Sequence, residues 1–408
     1  MRICYLSLGF MPAIRLGGSI RSAYYLTRTL SERGHSVTVC CTNLASKSEK
    51  LFRGTRRTSY DGVDVIYFNT YKLSLGRDSF GAYFCPGMVR FFRQELCKYD
   101  IVHMDGYREF PVLVASHFCR RFDIPYVIQA RGSIRPAYAS VLAKRSFDRL
   151  LGPKILQNCA MFVASSEAEE ADYRGVIPER SKILRISNGI DLEEFSRLPE
   201  EGRFRRRYGI GEDLLITYLG RLHPLKGIDF LIQAFAIGQG NGNRRLAIIG
   251  PDEDYKHYLL AMVKGKGLSD SVTFLGALEG TEKLEAYVDS DVIVYAGKSE
   301  SFGMVALEAL LCGVPVISSE ETGCGQLLDG LGAGFLVRYG DSRHLAETID
   351  NVLNNYGAVQ KRVRNAVERI KVEFTWKHIA EKYEVAYSSL LRGRTSNEHA
   401  IDTPFTCV

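Results

Sequence analysis

Short runs of aliphatic and β-branched residues, each followed by a stretch with helical spacing, recur along almost the whole chain, and no other feature limits its fold so strongly. Runs at 2–7, 36–41, 63–68, 100–104, 125–129, 160–164 and 183–186 read as buried strands. Strands that are apolar throughout need both faces covered, a condition met by a parallel sheet with helices on each side. The alternation breaks at the turn signal Asn188-Gly189-Ile190-Asp191 and at the charged segment Leu198 to Tyr208, which holds Arg203, Arg205, Arg206 and Arg207. It restarts with Leu214 to Leu219 and continues through 245–249, 272–275, 291–295, 314–317 and 335–337. Two α/β domains are therefore predicted, 1–190 and 191–374, each a doubly wound parallel sheet. Beyond Asp341 the pattern is helical. Ile379, Tyr383, Ala386 and Leu390 mark a last helix at about 375–392, ahead of an aperiodic tail, 393–408, expected to fray.

At 408 residues the chain exceeds one typical domain, and its 46% apolar and 25% charged residues are those of a soluble globular protein. No apolar run approaches the roughly 20 residues of a spanning helix. The opening Met1-Arg2-Ile3-Cys4-Tyr5-Leu6 reads as a strand rather than a signal peptide, so a cytoplasmic protein is expected. The 10 cysteines are scattered without Cys-x-x-Cys spacing, which argues against disulfides and structural zinc. The net charge of +6 conceals an asymmetry: residues 1–190 carry 28 Lys and Arg against 16 Asp and Glu, the remainder 25 against 31. A basic half suits an anionic substrate or an anionic membrane surface, or is simply a solvated face. Nucleic acid is disfavoured, because the basic residues form no continuous motif and no recognition module is visible. Phe80, Tyr83, Phe84, Met88, Phe91 and Phe92, interleaved with Arg77, Arg90 and Arg93, fit an amphipathic helix for a bilayer surface, or equally a stripe of core.

The residues that carry chemistry concentrate in the second domain. Glu300-Ser301-Phe302-Gly303 and Glu308 bracket a predicted helix N-terminus after the strand at 291–295. Amides of Phe302, Gly303 and Met304, with the positive end of the helix dipole, suit a phosphate, and Gly303 permits its close approach. Glu308, about one and a half turns down the helix, can accept the paired hydroxyls of a ribose, and Glu300 in the mouth can reach hydroxyls of a sugar beyond a diphosphate. Two glutamates on an ordinary surface helix would look similar; the Phe-Gly between them and the Gly313-Val314-Pro315 strand entry favour a site. Gly220-Arg221-Leu222-His223-Pro224-Leu225-Lys226-Gly227 follows a strand, and its two cations can clamp both phosphates of a diphosphate. In the first domain, Gly17-Gly18 before a helix offers a second, weaker phosphate approach, without the Gly-x-Gly-x-x-Gly of a dinucleotide site. Asp289-Ser290-Asp291 has the look of a metal-diphosphate motif but sits at a strand entry, and a structural role with no bound metal is expected.

Gly220-Arg221 with Lys226-Gly227, Glu300-Ser301-Phe302-Gly303 with Glu308-Ala309, and Asn188-Gly189-Ile190-Asp191 together resemble the signature of glycosyltransferase family 4. Gly250-Pro251, Phe274-Leu275-Gly276 and Phe374-Thr375-Trp376 fit the same pattern in order, so the resemblance spans nearly the whole chain. It implies the GT-B fold, two Rossmann-like domains facing a cleft with a C-terminal helix crossing back to the first. It also implies transfer of a sugar, with retention, from a nucleotide-diphosphate sugar bound by the second domain. By that resemblance Arg221 and Lys226 hold the donor diphosphate, Glu308 the ribose and Glu300 the transferred sugar, with Gly18, Gly220, Gly250, Phe302 and Gly303 lining the donor site. The implied acceptor is a saccharide or lipid-linked oligosaccharide, in surface polysaccharide or lipopolysaccharide synthesis, and no cofactor beyond the donor is expected. The first domain departs from the pattern. Many relatives carry a His-Gly or His-Asp where this chain has Gln129-Ala130-Arg131-Gly132-Ser133. Arg131 cannot act as a base, so it is assigned to neutralising a phosphate or an acidic acceptor, with His103 a second candidate on the acceptor side. An epimerase of the same fold, or a non-catalytic nucleotide-sugar-binding protein, is the alternative.

Overall fold

The computed structural model describes residues 1–46, 49–72, 83–135, 141–238 and 243–395. The chain forms two units, one of Met1–Gly189 joined by the chain from Trp376 onward, the other of Ile190–Thr375. In the first unit an eight-stranded sheet contains β1 (Arg2–Ser7), β2 (Ser36–Thr42), β3 (Arg56–Tyr60), β4 (Val63–Phe68), β7 (Ile101–Asp105), β8 (Tyr126–Gln129), β9 (Met161–Ala164) and β10 (Ile183–Arg185), with a separate two-stranded ribbon of β5 (Tyr71–Lys72) and β6 (Tyr83–Phe84). The order is β10-β9-β8-β7-β1-β2-β4-β3, parallel throughout except for β3. β3 escapes the sequence reading because it is a polar edge strand, four of its five residues being exposed, and carries no apolar run.

Alternation of side chains along each strand feeds two cores. Ile3 and Tyr5 of β1 pack with Leu26 and Leu30 of the helix Gly18–Glu32 and with Tyr383 and Tyr387 of the helix Trp376–Thr395. Cys4 and Leu6 face the opposite layer, with Met88 and Phe92 of the helix Pro86–Glu95 and Ala115 and Cys119 of the helix Phe110–Arg121. The bilayer reading of 80–93 is thereby corrected: Tyr83 and Phe84 lie in β6, Met88 and Phe92, one turn apart, are fully buried in core, and Arg77 and Phe80 lie outside the described residues. The last helix extends to Thr395, and the remainder of the 393–408 tail lies outside the described residues. Among the described residues eight cysteines are free.

The second unit is built on β11 (Leu214–Leu219), β12 (Arg244–Ile249), β13 (Val272–Leu275), β14 (Val292–Tyr295), β15 (Val316–Ser319) and β16 (Gly334–Val337), all parallel, in the order β13-β12-β11-β14-β15-β16. β15 begins two residues later than its apolar run because Pro315 has no amide to donate; it contributes only its carbonyl, to the Ile293 amide. The Asp-x-Asp motif proves to be a brace. Asp289 accepts from the amides of Gly202 and Arg205 at 2.5 and 3.0 Å, and Asp291 from Arg205 Nη2 and the Leu215 amide at 2.7 and 2.6 Å. In each sheet successive connections run outward from one central pair of strands, β1 and β7 in the first and β11 and β14 in the second. The loops after those strands splay apart there, which is where open α/β sheets bind ligands.

Candidate active site

At the β11/β14 switch point two loops interlock. Gly227 has a left-handed backbone (φ 68°), and a Cβ there would stand 2.3 Å from the Ala296 carbonyl, so only glycine lets the loop after β11 close on the loop after β14. The Lys298 amide completes the junction by donating to the Leu225 carbonyl at 2.9 Å. This brings Lys226 against Glu300, 74 residues away in sequence, in a direct Nζ–Oε2 ion pair. The two side chains retain 14% and 17% of their exposure, so the pair is shielded yet open to a ligand. Tyr295 donates its hydroxyl to the same Glu300 oxygen at 2.7 Å. Burial, then Glu300, pushes the Tyr295 phenol well above its ordinary range, which keeps it a donor.

Arg221 follows Gly220 on the β11 loop and is half-exposed, its guanidinium 2.6 Å from Glu253 after β12. Tyr218, stacked near Tyr295 with ring centroids 6.0 Å apart, steadies this loop by donating to the Arg221 carbonyl at 2.9 Å. Gly220 and Gly250 lie back to back, since a Cβ on Gly250 would come 1.8 Å from the Gly220 carbonyl oxygen. Gly303 is the N-cap of the helix Met304–Leu311, in the left-handed region (φ 91°) and without a capping side chain, so the positive end of this helix is left uncapped beside Glu300. Phe302 is buried and packs near Phe374, with ring centroids 6.3 Å apart. Its side chain therefore anchors the turn, and only its backbone is placed to meet a ligand.

Glu308 lies on the same helix, but it turns toward the helix Gly280–Val288, where Lys283 Nζ is 3.0 Å from Oε1 and the Tyr287 hydroxyl 2.7 Å from Oε2. Neither partner was singled out in sequence. Their signal is the i, i+4 spacing that sets a cation and a phenol on one helix face. Its two neighbours hold the Glu308 carboxylate in a fixed orientation.

The candidates of the first unit fare differently. Gly18 opens its helix in an exposed position with open space around its Cα. His103 is fully buried, stacked on Tyr5 (4.6 Å, 5°), with Nδ1 2.8 Å from the Tyr387 hydroxyl. Burial, reinforced by Arg131, lowers its pKa to about 3, so it stays neutral and serves as core at the strand end rather than as an acceptor-side group. Arg131 is also committed. Its Nε lies 2.7 Å from Asp105, whose side chain is 1% exposed, and its Nη1 donates to Asn188. Arg131, which has a left-handed backbone (φ 52°), is thus held by partners of its own unit, and its assignment to a phosphate or an acidic acceptor is left to the substitution described below.

Missed by sequence altogether is Glu109, at the N-cap of the helix Phe110–Arg121 beside the β1/β7 switch point. Partly buried, it makes no side-chain hydrogen bond or ion pair among the described residues, and its carboxyl lies against Gly106. Burial and the neighbouring Asp105 raise its pKa to about 8. The native state thus keeps a proton that the unfolded chain sheds above its ordinary value near 4.5, and this lowers stability as pH climbs from about 4.5 toward 8. Glu109→Gln should therefore gain on the parent over that window, by about 1–2 kcal/mol at pH 8.5 after allowance for solvent screening. Denaturant titrations at pH 5 and 8.5 read this, and a pH-independent difference would contradict it.

Comparison with known proteins decides the family. Residues 16–194 match the model described as Glycosyltransferase Family 4, and residues 200–369 the one described as Glycosyl transferases group 1. The chain belongs to glycosyltransferase family 4. Among relatives of this transferase, an uncharacterized glycosyltransferase of Methanocaldococcus jannaschii is 29% identical over 72% of this chain and 77% of its own. The N-acetyl-α-D-glucosaminyl L-malate synthase of Bacillus anthracis is 23% identical over 95% of this chain and 98% of its own. Anabaena HepE, solved in complex with UDP and glucose, superposes with a TM-score of 0.75 at 20% identity, over 95% of this chain and all of that one. WaaG, a glycosyltransferase of lipopolysaccharide biosynthesis, gives 0.67 at 16% identity, over 94% and 99%. These likenesses give the transferase the GT-B fold of two Rossmann-like units, as its motifs implied.

Proposed function

We propose that this transferase moves a sugar, with retention, from a nucleotide-diphosphate sugar held at the β11/β14 switch point to a saccharide or lipid-linked acceptor. The observation that carries the reading is the Lys226–Glu300 pair beside the uncapped helix at Gly303. A diphosphate arriving there meets a cation and free helix amides, and it draws Lys226 away from Glu300. The freed Glu300 carboxylate, steadied by Tyr295, then becomes an acceptor for hydroxyls of the transferred sugar. Negative charge grows on the departing diphosphate as the glycosidic bond breaks, so Lys226, Arg221 and the helix end stabilise departure more than binding. The leaving phosphate itself can take the acceptor proton on the same face, which is consistent with retention. Names of the relatives add support: HepE was solved with UDP and glucose, and WaaG acts in lipopolysaccharide biosynthesis. A role in surface polysaccharide or lipopolysaccharide synthesis is part of the proposal.

Thermal unfolding with a panel of nucleotide diphosphates and nucleotide sugars, with and without a divalent ion, tests the donor assignment. A ligand at about a hundred times its Kd should add about 2.7 kcal/mol. Stabilisation by one nucleotide class identifies the donor, and no stabilisation by any would sink the reading. Glu308→Gln keeps the shape but removes the charge and turns one of the two acceptor oxygens, which face Lys283 and Tyr287, into a donor, so nucleotide affinity should fall about tenfold by equilibrium titration. Unchanged affinity would remove Glu308 from the ribose.

A further inference from the structure

Two side chains of the helix Gly280–Val288 grip opposite oxygens of Glu308, Lys283 Nζ at 3.0 Å from Oε1 and the Tyr287 hydroxyl at 2.7 Å from Oε2. One contact would leave the carboxylate free to turn about its Cγ–Cδ bond, whereas two on different oxygens fix its plane. The grip is shielded: the side chains of Lys283 and Glu308 keep 11% and 10% of their exposure, and Tyr287 is fully buried. Packing does not require the charge of the lysine. Leu284, Tyr287 and Val288 of this helix join the same apolar core as Leu307 and Leu310 of the helix Met304–Leu311. A shielded ion pair adds little net stability over an apolar pair of the same shape, so the lysine is better accounted for by the orientation it gives Glu308. Glu308 stands about 7.5 Å along the helix axis from the uncapped end at Gly303, so a carboxylate of fixed aim lies one short step from the turn where a diphosphate is placed.

We propose that Lys283 is a positioning residue of the donor site: with Tyr287 it aims Glu308 at the ribose of the nucleotide and thereby sets a preference for ribonucleotides over 2′-deoxyribonucleotides. The inference rests on the donor reading above and narrows it to sugars carried on a ribonucleoside diphosphate. A carboxylate held in one plane meets the paired 2′- and 3′-hydroxyls in a single geometry, whereas a freely turning one accepts from a lone 3′-hydroxyl nearly as well. A site built for both hydroxyls rejects the ligand that lacks one, because the contact it was shaped for goes unmade. Lys283 acts through Glu308 and not on the phosphates, so its loss should spare a ligand that is only a diphosphate.

Equilibrium titration of the full chain with UDP, GDP and ADP, each beside its 2′-deoxy counterpart, and with pyrophosphate tests it. The parent should bind at least one ribonucleotide about tenfold or more tighter than the deoxy form. Lys283→Met, which keeps the bulk of the side chain and removes its charge, should lower that ratio to about threefold or less, while pyrophosphate affinity stays within about twofold. The failures are distinct. A parent that binds no nucleotide, or does not tell ribose from deoxyribose, fails the donor reading and the inference with it. A discriminating parent beside a Lys283→Met protein of the same ratio overturns the inference and leaves the donor reading standing. Equal losses for nucleotide and pyrophosphate in Lys283→Met would also overturn it, since the lysine would then be a general attraction for anions. Circular dichroism and melting of the variant separate a lowered ratio from lost folding. Should Lys283→Met melt well below the parent, Tyr287→Phe removes the other contact at nearly constant shape, and the same two ratios decide.

Discussion

Lys226→Ala should lower transfer turnover about a hundredfold, equivalent to roughly 3 kcal/mol of transition-state stabilisation, while weakening donor binding much less. The split follows from where the charge develops. On the proposed donor placement a ground-state diphosphate would already meet the helix end at Gly303 and Arg221, so loss of one cation is partly covered. In the transition state the leaving group gains negative charge, and the 14%-exposed Lys226 ammonium faces it from a shielded site. The substitution also leaves Glu300 with Tyr295 as its side-chain partner, which should cost about 1 kcal/mol of stability and no more, because the carboxylate keeps a route to solvent. Initial-rate kinetics beside a nucleotide titration read both quantities. Normal turnover would take Lys226 out of the mechanism, and equal losses in affinity and turnover would make it a binding residue only.

Arg131→Ala is expected to destabilise the first unit by roughly 3–5 kcal/mol, because it leaves the Asp105 carboxylate, 1% exposed, without its cation. Among the described residues Tyr5 remains as its side-chain donor, at 3.2 Å. For a unit of this size the melting temperature should drop by roughly 10 °C or more. The double substitution Arg131→Ala with Asp105→Ala should recover much of the loss, since no buried charge is then left unpaired. A single variant as stable as the parent but impaired in transfer would restore the ligand-binding role that the pairing argues against.

The strand positions were legible because parallel strands buried on both faces read as apolar runs, and all but β3, β5 and β6 of the strands have such a run. Those three are short or polar edge elements that carry no such pattern. The stripe of Met88 and Phe92 was read in two ways because helical spacing gives a direction but not the identity of the neighbouring surface; packing against the sheet resolved it.

At the donor site the division is sharpest. Local signals, a glycine at each strand-to-helix turn and carboxylates at a helix N-terminus, picked out from sequence alone the loops proposed to bear the chemistry, since backbone conformation there admits few residue types. Only the tertiary structure decided partnership: Lys226 with Glu300, Arg221 with Glu253, Glu308 with Lys283 and Tyr287, and Arg131 with Asp105. Charged side chains find their partners through space, across loops that the order of strands in the sheet brings together, and that order has no local signature in the chain.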